Sequence, residues 1–181
     1  RRCQDGVKNG DELLKKLNAL EDSTFADDLM MAVNDCITMV QAAAKDSCPT
    51  HHGELKNSIH TMTEEKDDKI TSVCYTDKEY AAYVEFGTGP VGLADHNGIA
   101  PDIPVAYSQS GWMIPGDAMT RYEAEEYGLG VVEDKDGEPI GYLTNGQPAQ
   151  PYMYPALKDN EDEIKKRLSE AVKLSFEGKK L

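Results

Sequence analysis

A chain of 181 residues is long enough for one ordinary domain that buries a core without disulfide or metal staples. Its 39% hydrophobic and 29% charged content exclude a disordered class. A formal charge of −14 excludes a broad grip on nucleic-acid phosphates or on an anionic membrane.

The predicted elements begin with a short amphipathic helix over Gly10 to Glu21, where Leu13, Leu14, Leu17 and Leu20 recur at helical spacing. After Asp22 and Ser23 a longer helix is expected. Thr24 and Asp27 supply a capping-box start, and Phe25, Leu29, Val33, Cys36, Ile37, Val40 and Ala44 form one apolar face over about six turns, ended by Pro49. Lys69 to Thr76 alternates Ile70, Ser72 and Cys74 against Thr71, Val73 and Tyr75, which predicts a strand. Its neighbour is Asn57 to Met62, across a polar turn at Glu64 to Asp68. Glu79 to Phe86 is expected to form a short helix with Tyr80, Tyr83, Val84 and Gly87 on one side, and Gly87 as its stop.

From Thr88 to Gln147 the chain is rich in Gly, Pro and Asp and shows no helical period before Ala118. Within it, Val131-Val132-Glu133 and Ile140 to Leu143 flank Asp134-Lys135-Asp136-Gly137, a hairpin signal, with Pro139 restricting the second strand to an edge. Between Asp117 and Glu138 eight acids stand against two bases, and so long an irregular stretch reads as an exposed interaction segment. The last helix opens with Pro155 at its first position and carries Leu157, Ile164, Leu168, Val172 and Phe176. Acids crowd its N-terminal half and bases follow, matching the helix dipole.

No catalytic constellation emerges. Cys3, Cys36, Cys48 and Cys74 form no C-x-x-C pair, so they read as reduced thiols in a reducing compartment, with Cys36 on the buried helix face. His51 and His52 beside Cys48 lack further ligands at a metal-site spacing. Gly87-Thr88-Gly89-Pro90 lacks the Gly-Lys-Ser/Thr ending of a phosphate loop and reads as a turn with positive-φ glycines. Acid pairs such as Glu64-Glu65, Asp67-Asp68 and Glu125-Glu126 read as solvated charge. No apolar run nears the roughly 18 residues of a membrane span. No signal-peptide stretch opens the chain, and Arg1-Arg2 without a methionine reads as a trimmed start. Trp112, Met113 and Ile114 form an apolar knot inside a polar segment, either a plug on the domain's own core or an anchor for a neighbour.

Three motifs carry a resemblance. The first follows a proline that ends a long helix and reads Thr-Gly-x-Leu-x-x-Ser-Ile; Pro49, Gly53, Leu55, Ser58 and Ile59 match, while His51 and His52 replace the usual acid and threonine. The second, Tyr-Ala-x-Tyr-Val-Glu-Phe-Gly-Thr, is matched by Tyr80, Ala81, Tyr83, Val84, Glu85, Phe86, Gly87 and Thr88. The third, Gln-Pro-aromatic-x-x-Pro-Ala-Leu, is matched by Gln150, Pro151, Tyr152, Pro155, Ala156 and Leu157. In this order they resemble the tail-completion or neck proteins, often labelled minor tail components, of long-tailed bacteriophages, over roughly residues 7 to 176.

The resemblance implies a non-enzymatic virion protein without cofactor or metal. It would be assembled in the bacterial cytoplasm as a ring of copies between portal-associated proteins and the tail tube or terminator, with DNA passing through unbound. Tail-terminator and head-closing stopper proteins are the neighbouring alternatives, and a small metal-dependent hydrolase is a distant one. The expected fold is α+β, a small antiparallel sheet against a long helix of the N-terminal half and a C-terminal helix. It forms one domain over 1–181 with an irregular insertion at about 89–147. Trp112, Met113, Ile114, Glu123, Glu125, Glu126 and Tyr127 are the expected contacts to neighbours, and Tyr80, Tyr83, Phe86 and Gly87 are expected to shape the core.

Overall fold

The computed structural model describes Leu14, residues 23–49, 53–67 and 69–177. Leu14 is helical and exposed. The rest of the predicted helix over Gly10 to Glu21 lies outside the described residues, as do Cys3, His51, His52 and Asp68. The chain forms two compact units, each assembled from separate stretches.

The first unit includes the chain up to Asp46, Asn57–Thr76, and the chain from Ala156 onward. Its main element is helix α1 (Ser23–Ser47), which ends where Pro49 removes a donor. Ser23 is already helical, so Thr24 lies inside α1 and is not its N-cap. The face that closes completely is Ala32, Cys36, Val40 and Ala44, a strict four-residue repeat of small side chains. The larger Leu29, Val33 and Ile37 beside it are half-buried.

A four-residue helix α2 (Glu54–Asn57) leads into strand β1 (Ile59–Lys66). Strand β1 pairs antiparallel with β2 (Lys69–Thr76), so that Ile59 faces Thr76 and Lys66 faces Lys69. The strands run further than expected, since Glu64 to Lys66 are paired and Lys66 stands opposite Lys69. Asp67 takes φ 53° there, a conformation short polar side chains tolerate. The alternation holds from Ser72 to Tyr75, with Val73 and Tyr75 exposed and Ser72 and Cys74 half-buried, whereas Ile70 and Thr71 are both half-buried. The Gln41 side-chain amide donates to the Ile59 carbonyl at 2.8 Å, tying α1 to β1.

The C-terminal helix differs from expectation. It comprises two helices, which we label after the elements of the second unit.

The second unit, from Ser47–Lys56 and Asp77–Pro155, holds helix α3 (Ala81–Phe86), helix α4 (Gly89–Ala94), strand β3 (Trp112–Pro115), helix α5 (Arg121–Glu126), strand β4 (Gly130–Glu133) and strand β5 (Pro139–Thr144). Helix α4 corrects the absence of helical structure expected before Ala118. It is too short to print a period, and Pro90 in its first turn needs no donor. The β4–β5 hairpin forms where the Asp-Gly signal placed it. Asp134 Oδ1 accepts the N–H groups of Asp136 and Glu138, each at 2.9 Å.

The sheet order is β3-β5-β4, so β5 is central and the edge-strand expectation from Pro139 is overturned. Pro139 occupies the first residue of β5, opposite a register shift at Val132/Glu133, where the ladder does not need its missing donor. The apolar knot Trp112-Met113-Ile114 is the third strand that makes β5 central.

Helix α6 (Met153–Lys158) and helix α7 (Glu161–Phe176) complete the chain. Pro155 is the third residue of α6, still within the first turn, where its missing N–H costs nothing. The Asn160 side-chain amide donates to the Ala156 carbonyl at 2.8 Å and caps the end of α6. Leu157 is exposed; Ala171 and Ser175 are the buried residues of α7, with Ile164, Leu168, Val172 and Phe176 half-buried beside them. Burial raises the Cys36 thiol pKa, against the lowering field of Arg167 from α7. The architecture is thus α+β, with a long helix, small antiparallel sheets and a C-terminal helix.

Candidate assembly site

Helix α3 is built on an acid. Ala81 and Glu85, one turn apart, are its buried residues, whereas Tyr80 and Tyr83 are exposed, Tyr83 to 61%. The two tyrosines therefore do not shape the core. Glu85 is 5% exposed, and its carboxylate meets three backbone donors at the start of α6. Oε2 accepts the N–H groups of Tyr152 (2.7 Å) and Met153 (2.9 Å), and Oε1 accepts that of Tyr154 (3.0 Å). The first N–H groups of a helix have no partner inside it, and the helix dipole favours an anion there. A buried charge with three charge-assisted hydrogen bonds is thereby compensated. The Tyr-Val-Glu-Phe-Gly motif and the Gln-Pro-Tyr motif are thus two halves of one joint. The Gln150 N–H donates to the Val84 carbonyl at 2.8 Å, and Tyr152 is fully enclosed.

The same joint clasps the ends of the long segment that follows α3. The Thr88 N–H donates to the Gln147 carbonyl (2.9 Å), and the Gln147 N–H returns to the Thr88 carbonyl and Oγ1, both at 3.2 Å. The Gln147 side chain also donates to the Tyr83 carbonyl at 2.9 Å. Gly87 adopts φ 74°, and a Cβ on it would lie 2.7 Å from the Ala149 nitrogen. Gly146, at φ 91°, sits against the Thr88 carbonyl with no room for a side chain. Sequence reasoning missed Gln147, although a glutamine flanked by Gly146 and Pro148 at the end of an irregular run marks a fixed return point.

In the first motif, Leu55 is buried and Gly53 bends the chain at φ 74° within the second unit. In the first unit Ser58 and Ile59 are buried, and Ser58 Oγ lies 2.6 Å from Thr76 Oγ1 at the open end of the hairpin.

The residues expected to meet neighbours fall into two groups. Trp112 and Tyr127 line a single open cleft of about 610 Å³, together with Val91, Leu129 and Leu143. Trp112 is 40% exposed, and one edge of its ring rests against Gly89. Met113 and Leu143, directly paired across the strands, are 53% and 54% exposed on the outer face of the sheet. Ile114 instead pairs with the wholly buried Tyr142 and is half-buried. The acids of α5 are partly engaged within the unit. Glu123 closes a capping box with Thr120, and Glu125 lies 3.1 Å from Arg121, whose other end reaches Glu133 at 2.7 Å. Glu126 is exposed. Leu143 and Leu129 were not anticipated as cleft residues, because strand pairing and not sequence proximity brings them to Trp112.

Among the described residues no group of three or more His, Cys, Asp or Glu is placed to hold a metal ion. No described helix is long and apolar enough to cross a membrane.

Residues 11–87 match the family model described as "Bacteriophage HK97-gp10, putative tail-component". The resemblance to a bacteriophage tail family therefore holds over this stretch, 77 of the chain's 181 residues, which covers the first motif and the second as far as Gly87. The third motif lies beyond it. No curated protein and no solved structure matches the chain.

Proposed function

We propose that this chain is a neck or tail-completion component of a tailed phage or prophage, forming a ring or collar that joins the DNA-filled head to the tail. The observation that carries this reading is the match of residues 11–87 to a phage tail-component family. The motifs it covers are occupied by a buried joint and a hairpin, which suits a scaffold role and assigns no reaction to them. A charge of −14 per copy would line a ring with a field that repels phosphates and lets DNA slide. Head-to-tail contacts between copies close into rings when the rotation permits. The partners of such a collar are portal-associated proteins on one side and the tube or terminator on the other. In this reading residues 89–147 are an insertion in one tail-completion domain, supported by the Thr88–Gln147 clasp that brings its ends together.

The experiment is removal of the chain from the phage that encodes it, with electron microscopy of the lysate and of the purified protein. Filled heads and finished tails accumulating unjoined, together with rings of the purified chain, are the expected outcome. Normal particles lacking the chain, or a chain that stays monomeric at every concentration, would overturn the reading.

A further inference from the structure

Two Asn-Gly pairs fall within the described residues, Asn97-Gly98 and Asn145-Gly146. In such a pair the glycine nitrogen can attack the side-chain amide before it, because no Cβ shields the approach. The fold treats the two pairs differently. Asn97 and Gly98 are both exposed in a turn after α4, with Gly98 at φ 81°. A Cβ on Gly98 would meet only the ring of Pro151, 3.2 Å away, and among the described residues nothing accepts the Gly98 N–H. The Asn97 side chain is held by the hydrogen bond its Nδ2 donates to Asp95 Oδ1 at 3.1 Å, an exposed bond of small net worth. The Gly146 N–H instead donates to Thr144 Oγ1 at 3.0 Å. On either side of it the Asn145 carbonyl accepts the Val91 N–H at 3.2 Å, and Gln147 is paired with Thr88. The clasp thus occupies the attacking nitrogen and fixes the backbone that would have to turn.

We propose that the Asn97-Gly98 turn is a self-modifying site that converts Asn97 to aspartate and isoaspartate, with water as the only co-reactant. The Gly98 nitrogen gives its proton to solvent and bonds to Asn97 Cγ. The Cγ–Nδ2 bond breaks, and the amide group takes up a proton and leaves as ammonia. Water then opens the cyclic imide. Cleavage between Cγ and the Gly98 nitrogen restores the ordinary backbone with an aspartate side chain. Cleavage between the Asn97 backbone carbonyl and that nitrogen leaves the chain running through Cβ and Cγ, as isoaspartate. Either product replaces a donor to Asp95 by a second carboxylate, and the two repel. The Asp95 carbonyl accepts the Ala149 N–H at 2.9 Å, directly before the Gln-Pro-Tyr motif. The conversion therefore loosens the loop where it leans on that motif.

The test ages the purified full chain in warm, mildly alkaline buffer made with heavy-oxygen water. Digestion at acidic pH follows, then peptide mass mapping with fragmentation that separates aspartate from isoaspartate. Heavy oxygen in both products of Asn97, with Asn145 intact at the same time, is expected. In guanidinium chloride the two pairs should convert at similar rates, because the clasp no longer protects the second. Asn97→Gln should lose the modified peptide, since its longer side chain must close a larger ring. Asn97→Asp carries the product's charge from the start and should lose hydrogen-exchange protection at Ala149. Equal conversion of Asn97 and Asn145 in the folded chain, or an unmodified Asn97 once the unfolded chain has converted, would overturn the proposal. Unchanged exchange at Ala149 in both the aged chain and Asn97→Asp would overturn the loosening of the loop. None of these readouts depends on ring formation, so the neck reading stands or falls separately.

Discussion

Three backbone donors at the start of α6 share one acceptor, the Glu85 carboxylate, and the arithmetic of that arrangement is one-sided. Replacing Glu85 by alanine strands three N–H groups, one of them fully buried, and removes the anion from the helix start. Glu85→Ala should therefore cost about 3 kcal/mol or more. Glu85→Gln keeps one carbonyl oxygen but turns an amide N–H₂ toward a donor, and should cost about half as much. Urea midpoints of the two variants against the native chain check this, and equal midpoints for all three would remove the joint from the stability account. The motif residues could be picked out in the sequence, but not what Glu85 does. An acid inside a helix of Ala, Tyr, Val and Phe looks like an exposed position, and only the approach of residues 152–154, more than sixty positions away, makes it the buried one. The same distance misled the assignment of Tyr80 and Tyr83, since an apolar stripe was assumed to face inward when the inward face belonged to Ala81 and Glu85.

At the scale of elements, legibility followed locality. Helix α1, the β1–β2 hairpin and the Asp-Gly turn are written in nearest-neighbour patterns, and each formed where those patterns placed it. Strand β3 and the central position of β5 depend on pairing between segments about thirty residues apart, which no local period records, and Pro139 seemed to forbid what a register shift permits. Helix α7 shows a charge pattern that was legible and carries a pH consequence. Glu161 sits between Lys158 and Lys165, whose hydrogen bonds and positive charge lower its carboxyl pKa from 4.5 to about 2. Arg167 and Lys166 lower that of Glu163. A depressed folded-state pKa contributes stability above the unfolded value and loses it as pH falls through the folded one. Helicity and thermal stability should thus decline between about pH 4.5 and 2 in a manner that Glu161→Gln flattens. Both ion pairs are exposed, so added salt should shrink the difference. Circular dichroism across that pH range for native and variant chains measures it, and superimposable profiles would mean the pairs contribute nothing.

At the scale of the whole molecule the dominant quantity is charge, which composition states without any structure. The division into two discontinuous units is, by contrast, invisible in the sequence, because the chain enters and leaves each one at ordinary helices and turns. The charge constrains how copies meet in the proposed ring. Identical subunits carrying −14 each repel, and the repulsion reaches over a Debye length of about 30 Å at 0.01 M salt but only about 8 Å at 0.15 M. If copies associate through apolar surface such as Met113 and Leu143, screening removes the opposing term and leaves the attraction intact. Raising salt across that range should then drive the purified chain from monomer toward closed oligomer, with sedimentation velocity as the readout. Association held by ion pairs between copies would respond in the opposite direction. Dissociation with added salt would therefore assign the contacts to charged groups, and would turn attention from the sheet face to the acid-rich and base-rich halves of α7.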